Sequence, residues 1–126
     1  MNISPLNKSL DEPTRWIEVG RLADIPRLGA RVVQTPHGDV AVFRTGADEL
    51  FALRDKCPHR GGPLSQGIVY GRKVACPLHG WNIELDSGQA VAPDVGCTQS
   101  FSVKLEGDTV YLSYHPVRNG DVANEI

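Results

Sequence analysis

The sequence predicts an all-β domain built from short antiparallel strands. Short runs rich in apolar and β-branched residues recur along the chain, and turn residues separate them at the spacing typical of a sandwich or barrel. The 13 glycines and 9 prolines point to many turns. The single helix-like stretch, Leu22–Leu28, contains Pro26 and is too short to change the class.

The strands are predicted in chain order from these runs. The turns 36–38 and 45–48 connect the second, third and fourth runs into a meander. Gly71 and Arg72 suit a type II′ hairpin, and Gly107 with Asp108 closes a hairpin whose strands alternate apolar and polar residues. The predicted strands are Trp16–Val19, Arg31–Thr35, Asp39–Arg44, Glu49–Leu53, Ile68–Tyr70, Lys73–Ala75, Asn82–Leu85, Phe101–Glu106 and Thr109–Tyr114.

The length of 126 residues favours one domain. With 40% hydrophobic and 22% charged residues, the composition is that of a globular protein. We expect a flexible N-terminal segment over 1–14, the folded domain over 15–114 and a C-terminal tail over 115–126, because both ends lack a sustained pattern.

Charge and hydropathy exclude two classes of partner. A net charge of -2 gives no general attraction to a polyanion, so nucleic acid is not an expected partner. No apolar run approaches the roughly 20 residues that cross a bilayer, so no membrane association is expected. The first residues lack the basic and apolar blocks of a secretory signal, which favours a cytoplasmic location.

Two short loops carry the chemistry. They read Cys57-Pro58-His59 and, sixteen residues later, Cys76-Pro77-Leu78-His79. In each, proline follows the cysteine and glycine follows the histidine closely, and the intervening residues suffice for a hairpin that returns the chain to the same end of a sheet. The four side chains Cys57, His59, Cys76 and His79 are therefore the predicted metal ligands.

Two cysteines and two histidines can hold two irons bridged by two sulfides, with the cysteines on one iron and the histidines on the other. A structural zinc is the first alternative, but zinc ligand pairs usually stand two to four residues apart, and one residue separates Cys57 from His59. A Cys–His nucleophile is the second, and it leaves the matching loop unexplained.

These two loops resemble the Rieske iron–sulfur signature, and the strand pattern fits a Rieske domain, an antiparallel β-sandwich with a cluster-binding subdomain. The resemblance implies a [2Fe-2S] cluster on the four predicted ligands. High-potential Rieske proteins carry a disulfide between the loops, where this chain has Gly62 and Leu78, and donate hydrogen bonds to the cluster from two positions occupied here by Trp81 and Ile83. A potential toward the lower end of the Rieske range, about -150 to +300 mV, is expected.

Among such domains, the runs CPHRGGPLSQGIV and CPLHGWNIELDSGQA, with Gly96-Cys97 downstream, resemble the small subunit of bacterial assimilatory NAD(P)H nitrite reductase. That resemblance implies an electron-transfer subunit, not catalytic alone, whose large partner subunit carries FAD, a four-iron cluster and sirohaem and reduces nitrite to ammonium. The alternatives are the ferredoxin of an aromatic-ring-hydroxylating dioxygenase and a redox-silent module that happens to hold a metal.

Other residues carry weaker expectations. Cys97 is expected to be a small buried apolar residue. The segment 90–96 is expected to form a third loop that covers the cluster, and Trp81 to shield it or fill the core. His59 and His79 are expected to face solvent where electrons leave, and His37 and His115 to be exposed surface histidines. Arg60, Arg72 and Lys73 are candidates either for partner docking or for plain solvated charge.

Overall fold

The structure is a computed structural model that describes residues 16–36, 38–59, 61–78 and 80–117. Over these residues the chain forms nine strands and two short 3-10 helices, Leu22–Asp24 and Leu64–Gln66. The strands are β1 (Trp16–Arg21), β2 (Gly29–Thr35), β3 (Gly38–Arg44), β4 (Leu50–Arg54), β5 (Ile68–Tyr70), β6 (Lys73–Ala75), β7 (Asn82–Glu84), β8 (Ser100–Glu106) and β9 (Thr109–Val117).

The strands form two antiparallel sheets. The larger sheet has the order β1-β9-β8-β4-β3-β2, and the smaller has the order β5-β6-β7. The predicted meander is present as β2-β3-β4, with Val33 opposite Val40 and Ala41 opposite Leu53. The closing hairpin pairs β8 with β9. The predicted all-β, antiparallel class is confirmed.

Strand β3 is buried on both faces. Val40 and Val42 point into one apolar cluster of the larger sheet, whereas Ala41 and Phe43 point into a second cluster shared with the smaller sheet. All four side chains are fully buried. An uninterrupted apolar run is what such a strand requires, because successive side chains alternate between two faces that are both covered.

The second cluster joins the smaller sheet to the larger one. One central apolar residue of each short strand enters it, namely Val69, Val74 and Ile83. Cys57 and Cys76 belong to the same cluster. The two cysteine-bearing loops therefore rest on the packed interface between the sheets.

Most strand ends lie within two residues of their predicted positions, and three details differ more. The helix-like stretch forms a 3-10 helix only over Leu22–Asp24, and Leu64–Gln66 forms a second that the sequence pattern did not indicate. Strand β9 extends to Val117, three residues beyond its predicted end at Tyr114. The division at 14/15 and 114/115 stays a prediction. In the part of the chain that the structure describes, no helix is long and apolar enough to cross a membrane.

Candidate metal centre

The two loops, loop 1 (57–62) and loop 2 (76–81), have the same backbone hydrogen bonds. In loop 1 the Cys57 N–H donates to the Gly62 carbonyl over 2.8 Å, and the Gly61 N–H donates to the Cys57 carbonyl over 2.8 Å. In loop 2 the Cys76 N–H donates to the Trp81 carbonyl over 2.7 Å, and the Gly80 N–H donates to the Cys76 carbonyl over 3.0 Å. The sequence repeat is thus also a structural repeat.

Each loop requires glycine four residues after its cysteine. Gly61 has φ = 72° and Gly80 has φ = 73°. These values lie in the left-handed region, which residues other than glycine rarely adopt. A Cβ at either glycine would meet nothing within 4 Å. The backbone conformation, not crowding, therefore accounts for glycine at both positions.

Both cysteines are buried, and loop 1 approaches the thiol of loop 2. Cys57 is 3% exposed and Cys76 is 4% exposed, so both thiols are shielded from water. A Cβ placed on Gly62 would lie 3.3 Å from the Cys76 Sγ. The absence of a side chain at Gly62 therefore lets the main chain of loop 1 approach the thiol of loop 2.

His59 is half-buried, and Trp81 covers one face of its ring. The centroids of the two rings are 4.4 Å apart and their planes differ by 9°, a parallel stack between loop 1 and loop 2. Trp81 also packs against the second apolar cluster. Trp81 therefore contributes to the core, and its role as a shield of the cluster stays a prediction.

Leu78 of loop 2 makes a second contact with loop 1, at Gly62. A Cβ at Gly62 would lie 2.8 Å from both Cγ and Cδ1 of Leu78, so this side chain lies directly over the glycine. Positions 62 and 78 are those where the high-potential proteins have their disulfide. In this chain an apolar contact joins the loops at that point.

The segment 90–96 packs against both loops. A Cβ on Gly96 would lie 3.2 Å from Pro58 Cβ and 3.9 Å from Trp81 Cζ3, so the main chain of this third loop passes close to each. Its Val95 side chain is 86% exposed. The structure thus places the segment against both cysteine loops, and its expected cover of the cluster stays a prediction.

One expectation at the site is wrong. Cys97 is exposed, whereas a buried apolar residue was expected. It forms an isolated antiparallel bridge with Gln89 at the base of the third loop. Its backbone pairing, rather than burial of its side chain, positions it.

Arg72 contacts the larger sheet, and its role in partner docking stays a prediction. It forms two hydrogen bonds with Glu49 and lies over the Phe51 ring, 5.4 Å from its centroid. Lys73 is half-buried in β6. His37, Arg60 and His79 lie outside the described residues, and the backbone of His115 lies in β9.

Asp55 precedes loop 1 and forms hydrogen bonds with Ser65, which follows it. The sequence pattern did not predict this contact. The Asp55 carboxylate accepts the Ser65 N–H over 2.7 Å and the Ser65 hydroxyl over 2.8 Å. These bonds connect the end of β4 to the 3-10 helix that follows loop 1. A side chain ten residues from its partner gives no local sequence signal, which is why this contact was missed.

The donor set suits an iron–sulfur cluster. Two buried thiols from two matching loops are soft ligands of the kind that iron–sulfur clusters use, and the imidazole of His59 stands in the same loop as one of them. Gly62 has no side chain to occupy the space beside the Cys76 thiol. The residues that the structure describes at this end of the molecule fit the predicted cofactor.

Comparison with known proteins agrees with the geometry. Residues 15–102 match the family model of the Rieske [2Fe-2S] domain. The chain is 52% identical to 4beta-methylsterol monooxygenase of Methylococcus capsulatus. The matched segment covers 59% of this chain and 23% of that enzyme. It is 28% identical to the ferredoxin component of the naphthalene 1,2-dioxygenase system of Pseudomonas aeruginosa, covering 78% of this chain and 94% of the ferredoxin.

Solved structures share the fold. A chain from the complex of reduced oxygenase and oxidized ferredoxin in carbazole 1,9a-dioxygenase superposes with a TM-score of 0.74 and 26% identity, covering 82% of this chain and 97% of that one. A structure assigned as an NADH-dependent nitrite reductase small subunit from Mycobacterium tuberculosis superposes with a TM-score of 0.72 and 19% identity, covering 79% and 95%.

The family match spans both loops and most of the strands. It thereby accounts for the paired loops, the buried thiols and the small sheet that carries them. The chain belongs to the Rieske [2Fe-2S] domain family and is an electron-transfer domain with a Rieske-type [2Fe-2S] cluster.

Proposed function

We propose that Cys57 and Cys76 bind one iron of the cluster and that His59 and His79 bind the other. The burial of both thiols and the identical turns of their loops support the first half of this assignment. The position of His59 beside the loop contact supports the second. When bound, the cluster takes up and releases one electron at a time.

The ligand types set the charge of the site. Two thiolates balance the roughly +2 charge of two ferric ions and two sulfides, whereas four thiolates would leave an excess of about -2. Neutral imidazoles at His59 and His79 therefore favour acceptance of an electron. Trp81 keeps water from one face of His59, and the apolar cluster keeps water from both thiols.

The acceptor that the comparisons support best is an oxygenase component. The main support for this proposal is the match to a dioxygenase ferredoxin over 94% of that ferredoxin. The 52% identity to part of a monooxygenase adds to it. The chain spans only about a quarter of the monooxygenase. We therefore propose a one-electron carrier of an oxygenase system.

A small subunit of assimilatory nitrite reductase is the second candidate. The sequence from Cys57 to Val69 and the pair Gly96-Cys97 favour it, and Gly96 lies between Pro58 and Trp81, next to the predicted ligands. Its partner would be the large flavin and sirohaem subunit. A cytoplasmic location stays a prediction for either candidate.

Electron paramagnetic resonance of the reduced protein tests the ligand assignment. A Rieske centre gives an average g below that of a four-cysteine cluster, and metal analysis should find two irons per chain and no zinc. The variants Cys76→Ser and His79→Ala should lose the signal. A signal of the four-cysteine type, or zinc without iron, would overturn the assignment.

Rapid mixing distinguishes the acceptors. The chemically reduced protein is mixed with an oxygenase component of the naphthalene dioxygenase type or with a large nitrite reductase subunit, and its reoxidation is followed by absorbance. We expect fast single-electron transfer to the oxygenase. Faster transfer to the nitrite reductase subunit, coupled to ammonium formation, would establish the second candidate instead.

A further inference from the structure

The two loops exchange equivalent contacts. In each loop the residue five positions after the cysteine meets the residue two positions after the cysteine of the other loop. Gly62 of loop 1 meets Leu78 of loop 2, and Trp81 of loop 2 meets His59 of loop 1. The pairs differ in chemistry, because only the second places an aromatic ring flat on a predicted ligand.

Trp81 also connects loop 2 to loop 1 and to the third loop. Its carbonyl accepts the Cys76 N–H and so closes loop 2. Its indole stacks on His59 of loop 1, and its Cζ3 atom lies where the main chain of the third loop passes at Gly96. An imidazole bound through one nitrogen can still rotate about that bond, and a parallel ring at 4.4 Å opposes the rotation.

We propose that Trp81 is a positioning residue for the cluster, which fixes the orientation of the His59 ring and keeps water from one face of that ring. This inference rests on the proposed role of His59 as a ligand. Outer residues that orient a metal-bound imidazole and control solvent access alter the properties of the metal they never touch. In the sequence Trp81 is two residues from His79, but in the structure its indole stacks on His59.

The direction of the effect follows from charge. With two thiolates and two neutral imidazoles, the oxidised site is about neutral and the reduced site carries about one negative charge. Water stabilises the charged form more than the neutral form. Removing the indole should therefore shift the reduction potential to a more positive value and broaden the resonance of the reduced protein, because His59 can then adopt several ring orientations.

The experiment compares four variants with the parent protein. Trp81→Ala removes the ring, Trp81→Phe keeps an aromatic ring, and Trp81→Leu fills space without one. Trp16→Ala is the matched control, because Trp16 is the other tryptophan of the chain and lies in β1 at the edge of the larger sheet, under Lys104. The potential, the resonance line shape and the rate of iron release to a chelator are measured for each.

We expect Trp81→Ala to shift the potential positively, broaden the resonance and release iron faster, with Trp81→Phe and Trp16→Ala close to the parent. If Trp81→Ala retains no cluster, a broadened resonance in Trp81→Leu beside a parental resonance in Trp81→Phe gives the same support. Equal behaviour of the phenylalanine and leucine variants, or a parental potential in Trp81→Ala, overturns the role of the ring. A parent protein without a Rieske signal would instead overturn the ligand assignment.

Discussion

Arg72 on the β5–β6 turn holds Glu49 on the turn between β3 and β4 through two hydrogen bonds. Its Nε lies 3.2 Å from Oε1, and its Nη2 lies 3.0 Å from Oε2. The guanidinium also lies over the Phe51 ring. Together these contacts join the smaller sheet to the larger one through polar groups, alongside the apolar cluster that contains the cysteines.

Removing this pair should cost little stability and leave the cluster unaffected. Both side chains are about half exposed, and exposed pairs contribute roughly 0.2–1 kcal/mol. A double-mutant cycle of Arg72→Ala and Glu49→Gln, measured by urea unfolding, should give a coupling energy within that range. A change in the electron-transfer rate to the acceptor in Glu49→Gln would show that Arg72 serves docking as well.

Gly67 should tolerate no side chain. A Cβ there would lie 2.2 Å from the Ala75 carbonyl oxygen and 3.0 Å from Val74 Cγ2, so the end of the second 3-10 helix would have to move away from β6. We expect Gly67→Ala to lower the free energy of unfolding by about 1–3 kcal/mol, the usual cost of overpacking.

Gly46→Ala is the control for this substitution. A Cβ at Gly46 would make an ordinary contact of 3.4 Å with Leu28 Cδ2, and the stability should stay within about 0.5 kcal/mol of the parent. Equal destabilisation by both alanines in urea unfolding would contradict the steric explanation.

The stability should depend on pH through Asp48. The hydrogen bond from Arg44 and the nearby charge of Arg27 hold the pKa of the Asp48 carboxyl below its usual value. Because the folded protein favours the ionised form, this contribution is fully present above the pKa of the unfolded chain. It is lost as the pH falls through the lower pKa of the folded state.

Asp48→Asn isolates that contribution. Asp48 has φ = 65°, a conformation that asparagine also tolerates, so the turn should persist. The difference in unfolding free energy between the parent and Asp48→Asn should be largest near neutral pH and disappear in acid. A difference that grows toward low pH would refute the assignment to the ionised carboxylate.

The sequence was sufficient to predict those parts of the fold and site that depend on residues close together in the chain. The meander β2-β3-β4 follows from apolar runs and turn residues, and the paired loops follow from repeated spacing. The contacts between loops could not be predicted in this way, because Trp81 and His59 are distant in sequence and meet only when both turns are formed. Cys97 was placed wrongly since residue type suggests burial, whereas its position at the base of the third loop decides its exposure.

The three cysteines should differ in their importance for iron binding. Cys57→Ser and Cys76→Ser each remove a buried thiol and should abolish the cluster, measured as iron per chain and by visible absorbance. Cys97→Ser changes an exposed thiol and should retain the parental iron content. Loss of iron in Cys97→Ser would mean that the third loop contributes a ligand, contrary to the proposed set.

Replacing His59 by cysteine should lower the reduction potential. The substitution exchanges a neutral ligand for an anionic one, so the site becomes more negative and accepts an electron less readily. Rieske centres and four-cysteine ferredoxins differ by a few hundred millivolts for two such exchanges, so one should lower the potential by on the order of 100 mV. The loss of the stack with Trp81 acts in the opposite direction and should be the smaller effect, because it changes access of water and not the formal charge. Voltammetry of His59→Cys beside Trp81→Ala separates the two contributions, and a rise in both variants would contradict the charge argument.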